Sequence, residues 1–278
     1  MKLIGVGDNV VDYYKDQNKI YPGGNAVNVA VLSKRYGTTQ NSYIGIVGND
    51  AAGEHVANSL QAEGIDISRI RKAYGPNWES IISLNDEADR IFVGSNKGGV
   101  QASFKLNFSE ADISYIASHD LMHTSLYSYI EKEVPELSKH IAISFDFSLR
   151  REEEYLELLC PYLQYAFFSG SDLSRQQCIE LLHHVHRLGT EVVGITRGAE
   201  GALFLINGEV HEQAIVKKDG VIDTLGAGDS FIAMFLTQYH QNHNAEEALQ
   251  QAAEAAAETC GIYGAFGYGV SKGSLLSC

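Results

Sequence analysis

Short apolar segments and amphipathic segments alternate along most of the chain, and this alternation restricts the possible folds more than any other feature. The apolar segments have the length and composition of buried strands, and several of them end in Gly, Asp or Ser. The predicted strands are residues 2–6, 42–47, 141–147, 165–169, 191–196 and 202–206. The predicted helices are residues 25–36, 51–63, 152–163, 174–188, 229–240 and 245–263. Such alternation is typical of an α/β fold in which helices cover both faces of a mainly parallel sheet.

Two segments interrupt this alternation. Residues 11–22 and 77–101 alternate apolar with polar side chains and have no helical periodicity, so they predict antiparallel strands, with a turn at Asn85-Asp86. Strands inserted near the first crossovers of an α/β sheet would form a small β lid over its edge. Because the sequence shows no internal repeat and no long linker, we predict a single domain, residues 1–278, with lid strands at about 11–22 and 77–101.

Composition and charge exclude several classes of protein. The chain has 35 acidic and 21 basic residues and a net charge of −14, so no basic surface for nucleic acid is expected. No apolar run approaches the ~18 residues that a membrane helix needs. The four cysteines are scattered, which argues against a disulfide framework or a zinc site and favours a reducing compartment. We therefore expect a cytoplasmic protein without nucleic-acid or membrane partners.

The most informative motif is Asp-Thr-Leu-Gly-Ala-Gly-Asp-Ser at residues 223–230, which precedes an apolar run typical of a helix. Its two glycines allow a tight turn and a close approach by a ligand. A helix that begins here would direct free N–H groups and its positive dipole end toward a phosphate. Asp229 would repel that phosphate unless it accepts a proton from an attacking hydroxyl. The alternative is an ordinary loop in which Asp229 is the helix N-cap.

A second motif, Tyr-Pro-Gly-Gly-Asn-Ala-Val-Asn-Val-Ala, occupies residues 21–30. The two motifs resemble the two signatures of the ribokinase-like (PfkB) carbohydrate kinases, in the order expected for that family. Because they lie near opposite ends of the chain, the resemblance covers almost all of it. It implies a ribokinase-like α/β fold. The motif of P-loop kinases, Gly-x-x-x-x-Gly-Lys-Ser/Thr, is absent from the sequence, so P-loop kinases are excluded.

The resemblance implies a catalytic role for the glycine-rich motif at residues 223–230. In the family, the aspartate at the position of Asp229 is the general base that deprotonates the acceptor hydroxyl. The backbone amides of Gly226, Ala227 and Gly228 would then form the anion hole for the γ-phosphoryl group of ATP. Phosphoryl transfer depends mainly on positioning and charge stabilisation, and this arrangement supplies both.

The resemblance also implies a nucleotide site. Asp223 and Thr224 match positions that border the triphosphate and often a monovalent cation such as K⁺. For Asp223, a side chain that stabilises its own loop is the alternative. Thr196, Gly198 and Gly201 follow a predicted strand and resemble the nucleotide-binding turn of the family, although such turns are common in α/β folds.

Residues in the N-terminal half are candidates for binding the acceptor. Asp8 ends the first strand, where open α/β sheets bind ligands, and its carboxylate could accept hydrogen bonds from two sugar hydroxyls. The alternative is an aspartate that only stabilises a turn. The resemblance implies sugar contacts for Gly23, Gly24 and Asn28. We also expect Arg90 of the lid to contact the substrate.

The chain departs from the family pattern at the metal site. Family members usually have Asn-x-x-Glu, which organises water around Mg²⁺, whereas this chain has Ser169-Gly170-Ser171-Asp172. Asp172 is the candidate replacement for the glutamate, acting through water. Mg²⁺ is still expected with ATP, because the phosphates need a counter-charge.

The substrate prediction combines charge with resemblance. The lid has no dense basic cluster to hold a phosphosugar, so an uncharged or amine-bearing acceptor is favoured. Residues 7–12 and 22–31 are most similar to the branch of the family that phosphorylates the 6-hydroxyl of fructoselysine and related fructosamines. The alternatives are a kinase for another free sugar (fructose, ribose or a keto-sugar acid) and a catalytically silent sugar sensor. The open strand edges of the lid favour a homodimer through it.

Overall fold

The computed structural model describes residues 1–84 and 90–277. The strands in these residues are β1 (Lys2–Gly7), β2 (Val10–Tyr14), β3 (Lys19–Gly23), β4 (Gln40–Gly48), β5 (Arg71–Ala73), β6 (Glu79–Leu84), β7 (Arg90–Ser95), β8 (Leu121–Ser125), β9 (Ala142–Asp146), β10 (Tyr165–Ser169), β11 (Val192–Thr196), β12 (Ala202–Ile206), β13 (Glu209–Gln213) and β14 (Val270–Ser271). The helices are α1 (Asn25–Arg35), α2 (Ala51–Ala62), α3 (Gly99–Ser103), α4 (Glu110–Ile116), α5 (Val134–Leu137), α6 (Glu153–Leu159), α7 (Arg175–Arg187), α8 (Ala227–Asn242) and α9 (Ala245–Thr259).

The larger sheet has the strand order β13-β12-β11-β10-β9-β8-β1-β4-β5. The strands from β11 to β5 pair in parallel, and β12 and β13 add an antiparallel edge. Successive residues of β1 face opposite sides of this sheet. Leu3 belongs to a core formed with α1, α2, α8 and α9, whereas Ile4 belongs to a second core formed with α3 to α7. The predicted α/β fold with helices on both faces is therefore confirmed.

Helix α1 is buried along most of its length because it lies between the sheet and α8. This close packing depends on Gly5 of β1, where an added Cβ would lie 2.4 Å from the carbonyl oxygen of Ala26. The same packing places the start of α1 against the start of α8. Two segments that are far apart in the sequence thus meet at the carboxyl-terminal edge of the sheet.

The smaller sheet has the order β14-β3-β2-β6-β7. As predicted for the two interrupting segments, β2 pairs antiparallel with β3, and β6 pairs antiparallel with β7. The turn predicted at Asn85-Asp86 lies outside the described residues. A small cluster of Tyr14, Tyr21, Ile82 and Leu225 joins this sheet to the segment that precedes α8.

Among the helices in the described part of the chain, none has both the length and the apolar character needed to cross a membrane.

Candidate active site

The first turn of α8 begins immediately after a glycine that no other residue could replace without strain. Gly226 has φ +79°, and an added Cβ would lie 2.4 Å from the Cβ of Ala265. Gly228, two residues further along the chain, faces open space, since an added Cβ would meet nothing within 4 Å. Ala227 lies between them, and its amide donates to the carbonyl of Thr224 at 3.3 Å. The positive end of a 16-residue helix therefore faces open space at Gly228, as an anion site requires.

Asp229 is the third residue of α8, and the N-cap position is held by Gly226. Each oxygen of the Asp229 carboxylate accepts a hydrogen bond from an asparagine of α1. Asn25 Nδ2 lies 2.8 Å from Oδ1, and Asn28 Nδ2 lies 2.6 Å from Oδ2. These contacts give the carboxylate one fixed orientation at the entrance to the cleft.

Asn28 also carries an acceptor that the fold leaves unused. Its Oδ1 is buried and has no hydrogen-bond partner in residues 1–84 and 90–277. Gly23 lies beside it, where an added Cβ would be 3.7 Å from this oxygen and 2.6 Å from Oδ2 of Asp12. The absence of a side chain at Gly23 therefore keeps open the space next to Asn28 and Asp12. A hydroxyl entering this space could donate to Asn28, because a buried acceptor is costly to leave unpaired.

Asp8 directly follows β1 and contacts the first residue of α1. It is 2% exposed, and its Oδ2 accepts the backbone N–H of Asn25 at 2.6 Å. Its Oδ1 accepts the N–H of Ala26 and the hydroxyls of Ser125 and Ser128 at distances of 2.9–3.2 Å. Burial raises the pKa of Asp8, and these hydrogen bonds oppose the rise. These contacts cap the start of α1 and hold Ser125 and Ser128, and the expected sugar contact of Asp8 stays a prediction.

Gly24 completes the connection from β3 to α1. Its φ is +108°, and an added Cβ would lie 2.7 Å from the Cα of Asn9. A side chain is therefore excluded here both by backbone conformation and by space. Arg90 begins β7, but its side chain falls outside the described part of the structure, so the predicted substrate contact has no geometry here.

Three further polar residues, Asn25, Asp146 and His123, form a hydrogen-bonded chain that reaches Asp229, and the sequence pattern did not single them out. The Nδ2 of Asn25 donates to Oδ2 of Asp146 at 2.8 Å, in addition to its bond with Asp229. His123 lies 2.8 Å from the Oδ1 of Asn25 and 2.9 Å from the hydroxyl of Ser144. Burial lowers the pKa of His123 to about 3, so its imidazole is neutral. The position of Asn25, directly after Gly-Gly, was the available signal, while nothing local marked Asp146 or His123.

The electrostatics of Asp146 differ from those of an ordinary aspartate. Burial, followed by the negative charges of Asp229 and Asp8, raises its pKa to about 7, against the lowering effects of hydrogen bonds from Ser148 and Asn25. Asp146 at the end of β9 and Asp229 of α8 thus flank one amide nitrogen, that of Asn25. A site that gathers negative charge in this way is suited to accepting a proton.

Asp223 holds the segment before α8 in place. It is fully buried, and its oxygens accept from the hydroxyl of Tyr14 and from the N–H groups of Leu225 and Gly264, the last two at 2.9 Å. Burial and the neighbouring Asp223 raise the pKa of Tyr14. These contacts correspond to the loop-stabilising alternative for Asp223. Thr224, the adjacent residue, is half-buried.

The turn that follows β11 lies further along the same sheet edge. Gly198 and Gly201 have φ +55° and +84°, and an added Cβ on Gly201 would lie 2.1 Å from the carbonyl of Gln213. Thr196 ends β11, and its hydroxyl is 3.4 Å from the carbonyl of Phe168. Because β11 is two strands from β9, the turn is roughly 10 Å from Asp146 along the edge.

Asp172 follows β10 and is already paired. Both of its oxygens accept from Nη2 of Arg151, at 2.7 and 3.0 Å, and this guanidinium lowers the pKa of the carboxyl. Within the described residues, no group of three or more His, Cys, Asp or Glu side chains could hold a metal ion. The described side chains therefore do not form a metal cage. Asp172, which was predicted to act on Mg²⁺ through water, is instead paired with the guanidinium of Arg151.

Comparison with solved structures defines the class of protein first. The chain matches the structure of Arabidopsis thaliana ribokinase complexed with ribose and ATP with a TM-score of 0.80, at 19% identity, over 99% of this chain and 97% of that one. It matches aminoimidazole riboside kinase from Salmonella enterica with a TM-score of 0.76, at 21% identity, over 95% of each chain. The fold is the ribokinase fold.

Sequence comparison then identifies the family. The pfkB family carbohydrate kinase profile matches residues 1–267, and the chain belongs to this family. It is 55% identical to "Fructosamine kinase FrlD" of Bacillus subtilis (strain 168), over 97% of this chain and 94% of that protein. It is 36% identical to "Fructoselysine 6-kinase" of Escherichia coli (strain K12), over 95% and 99% respectively. The predicted family and enzyme class are confirmed, and the chain is an ATP-dependent sugar kinase.

Proposed function

We propose that this kinase transfers the γ-phosphoryl group of ATP to the 6-hydroxyl of fructoselysine or a related fructosamine. The observation that carries the chemistry is the carboxylate of Asp229, held by two asparagine amides at the open amino-terminal end of α8. The substrate proposal is supported by the names of the two relatives above, which share 55% and 36% of their aligned residues with this chain. The weak basic character of the described part of the smaller sheet agrees with an acceptor that carries no phosphate.

In the proposed mechanism, Asp229 is the general base. The acceptor hydroxyl enters the space beside Gly23, where it donates to Asp229, and a neighbouring hydroxyl donates to the unpaired Oδ1 of Asn28. The proton passes to Asp229 while the alkoxide oxygen attacks the γ-phosphorus, and ADP departs with the electrons of the broken P–O bond. The backbone amides of Gly226 and Gly228 and the dipole of α8 stabilise the charge that spreads over the transferring group. The amide of Ala227 joins them once it releases its 3.3 Å hydrogen bond to the Thr224 carbonyl.

We propose that the nucleotide lies along the sheet edge between α8 and the turn at Thr196, Gly198 and Gly201. The Asp223 carboxylate would support the triphosphate site indirectly, by fixing the segment that carries Thr224 and the anion hole. Mg²⁺ would neutralise the phosphates, and it would be held by ATP and by water, since the described side chains form no cage for it. Both oxygens of Asp223 accept hydrogen bonds from protein groups, so a K⁺ ion at this position would share them with these donors.

We propose that the smaller sheet is the lid of the acceptor site and that its open edge contacts a second copy of the chain. Strand β7 is one of the two edge strands of this sheet, and its Ile91 and Val93 are 51% and 53% exposed. An apolar edge strand of this kind favours pairing with another chain. Light scattering after size exclusion would measure the mass, and a monomer that persists at high concentration would contradict the dimer.

The proposed function is tested by coupled ADP release with fructoselysine, fructose, ribose and a keto-sugar acid as acceptors. Fructoselysine is expected to have the highest kcat/KM, and phosphorus-coupled NMR should place the phosphate on its 6-oxygen. Another acceptor with a higher kcat/KM would replace fructoselysine. No sugar-stimulated turnover with any acceptor would instead favour the silent sensor.

The catalytic assignment is tested with Asp229→Asn. This variant should bind ATP normally and lose roughly three or more orders of magnitude in kcat, because the amide cannot accept the proton. Asp219→Asn, at an exposed aspartate upstream of α8, is the matched control and should keep full activity. Normal turnover by Asp229→Asn would remove the base from the mechanism.

A further inference from the structure

The amide nitrogen of Asn25 is shared between two carboxylates. Its two hydrogens are directed to Asp229 Oδ1 and to Asp146 Oδ2, each at 2.8 Å. The amide oxygen of Asn25 faces His123 Nε2 at 2.8 Å. Every hydrogen-bonding atom of the Asn25 side chain therefore has a partner of the matching kind.

These contacts determine the orientation of each group. An amide oxygen only accepts, so His123 Nε2 carries the hydrogen, and its Nδ1 accepts from the hydroxyl of Ser144. His123 and Ser144 are fully buried, so their side chains are shielded from bulk solvent. Rotating the Asn25 amide by 180° would place its oxygen against two carboxylates and its nitrogen against an N–H group. The chain from Ser144 through His123 thus permits one orientation of Asn25.

We propose that Asn25 is the positioning residue of the general base, and that through it Asp146 acts as a second carboxylate which strengthens Asp229 as a proton acceptor. This inference rests on the proposed role of Asp229. Asn25 holds the Asp229 carboxylate toward the acceptor space, while the negative charge of Asp146 disfavours the ionised form of its neighbour. Neither Asn25 nor Asp146 has to touch the sugar for this effect.

The groups around Asp146 indicate when it is charged. It faces Asp229 from α8 and Asp8 from the end of β1, both negative, and it accepts hydrogen bonds from Asn25 of α1 and from the N–H of Ser148. His123, behind Asn25, is neutral. Because burial and the two like charges raise its pKa to about 7, Asp146 gains its charge near neutral pH. Ionised Asp146 then makes Asp229 a stronger base, so turnover increases as the pH rises through this region.

The experiment compares kcat of the full-length wild type and Asp146→Asn between about pH 6 and about pH 8, at saturating Mg·ATP and acceptor. The wild type should show a rise of roughly threefold across this range, and Asp146→Asn should lack it. His119→Gln is the matched control: His119 is a buried histidine that contacts Ser42 and Tyr115, so its variant should keep the rise. A rise of the same size in Asp146→Asn would overturn the role of Asp146.

The positioning role of Asn25 is measured separately. Asn25→Ala should lower kcat by roughly tenfold to a hundredfold and leave the dissociation constant of an ATP analogue unchanged, because only the base is misplaced. His123→Leu should produce part of this loss, and His123→Gln, which retains an N–H for Asn25, should recover much of it. Asn41→Ala serves as the folding control, since Asn41 is a buried asparagine bound to Thr38 and Ala30. An unchanged kcat in Asn25→Ala would overturn the proposal.

These outcomes are distinguishable from failure of the proposed function. If Asp229→Asn remains active, then Asp229 is not the base and both proposals fail. If Asp229→Asn is inactive while Asn25→Ala and Asp146→Asn behave like the wild type, then only the coupling through Asn25 is wrong.

Discussion

The Oδ2 atom of Asp8 lies 2.6 Å from the backbone nitrogen of Asn25, so a side chain at the end of β1 caps the helix that carries both asparagines of the active site. Helix α1 has no capping side chain of its own, because its N-cap residue is Gly24. The glycine is required by its positive φ and by the proximity of Asn9. The cap is therefore supplied by a residue from a neighbouring strand, and it anchors Asn25 and Asn28 relative to the sheet.

The first prediction concerns this cap. Asp8→Ala should lower the free energy of unfolding by about 2–3 kcal/mol, because it leaves two buried amides and two hydroxyls without their acceptor. Urea unfolding followed by circular dichroism measures the change. A smaller loss in Asp8→Asn, which keeps one acceptor oxygen, would show that the hydrogen bonds and not the volume are responsible. An Asp8→Ala protein as stable as the wild type would contradict the capping role.

The second prediction concerns stability and pH. The folded-state pKa of Asp146 is raised to about 7, so this group stabilises the fold when protonated, and the contribution is lost as the pH rises through that value. Asp146→Asn cannot ionise and escapes the loss. Its melting temperature relative to the wild type should therefore increase between about pH 5 and about pH 8. Asp219→Asn, at an exposed position, should show no such trend, and a trend of the opposite sign would refute the raised pKa.

The third prediction compares two glycines of the anion hole. Gly226→Ala should cost about 1–3 kcal/mol of stability, since its φ is +79° and its Cβ would overlap Ala265. Gly228→Ala has free space and lies within α8, so its stability should stay equal or rise slightly. Its new methyl group would project toward the cleft, and kcat should fall. Thermal melts and steady-state kinetics of the pair separate these effects, and equal melting temperatures would count against the geometry at Gly226.

The fourth prediction concerns Asp172. Because Arg151 already neutralises this exposed carboxylate, Asp172→Asn should change the Mg²⁺ concentration for half-maximal activity by less than about threefold. Titration of Mg²⁺ at fixed ATP provides the measurement. A much larger shift would mean that Asp172 orders water around the metal, as the family's glutamate is expected to do. Arg151→Gln is the useful partner variant, since it frees the carboxylate without removing it.

Helices and strands were predictable where local periodicity matched burial. Strand β8 was missed because it is fully buried yet contains His123, Thr124 and Ser125, so it lacks the apolar pattern of a core strand. Two of these polar side chains are satisfied, since His123 bonds to Asn25 and Ser144, and Ser125 bonds to Asp8. The helix predicted at residues 152–163 ends earlier, at Leu159, because Pro161 has no N–H and the chain continues as a 3-10 turn.

The residues of the candidate site likewise fall into those that local sequence indicated and those that it did not. The two glycine motifs made these residues candidates: Asp229 and Gly226 because glycine spacing before a helix has a local physical meaning, and Asn28 because of the family resemblance. The hydrogen-bond partners of these residues could not be identified from local motifs. Asp8, expected to contact the sugar, also caps α1 through hydrogen bonds that its local sequence did not indicate, and Asp146 had no local signal at all.

The amino-acid sequence by itself determined the α/β class, the parallel sheet, the two inserted strand pairs and the two motifs of a sugar kinase. The class, the sheet and the strand pairs follow from hydrophobic periodicity and turn chemistry, which act over a few residues, whereas the motifs point to a sugar kinase through their resemblance to the family. Only the tertiary structure decided which polar groups meet: that Asn25 joins Asp146 to Asp229, and that Asp8 caps helix α1. Hydrogen bonds require placement to within tenths of an ångström, and for residues far apart in the chain that placement comes from the packing of α1 against β1 and α8.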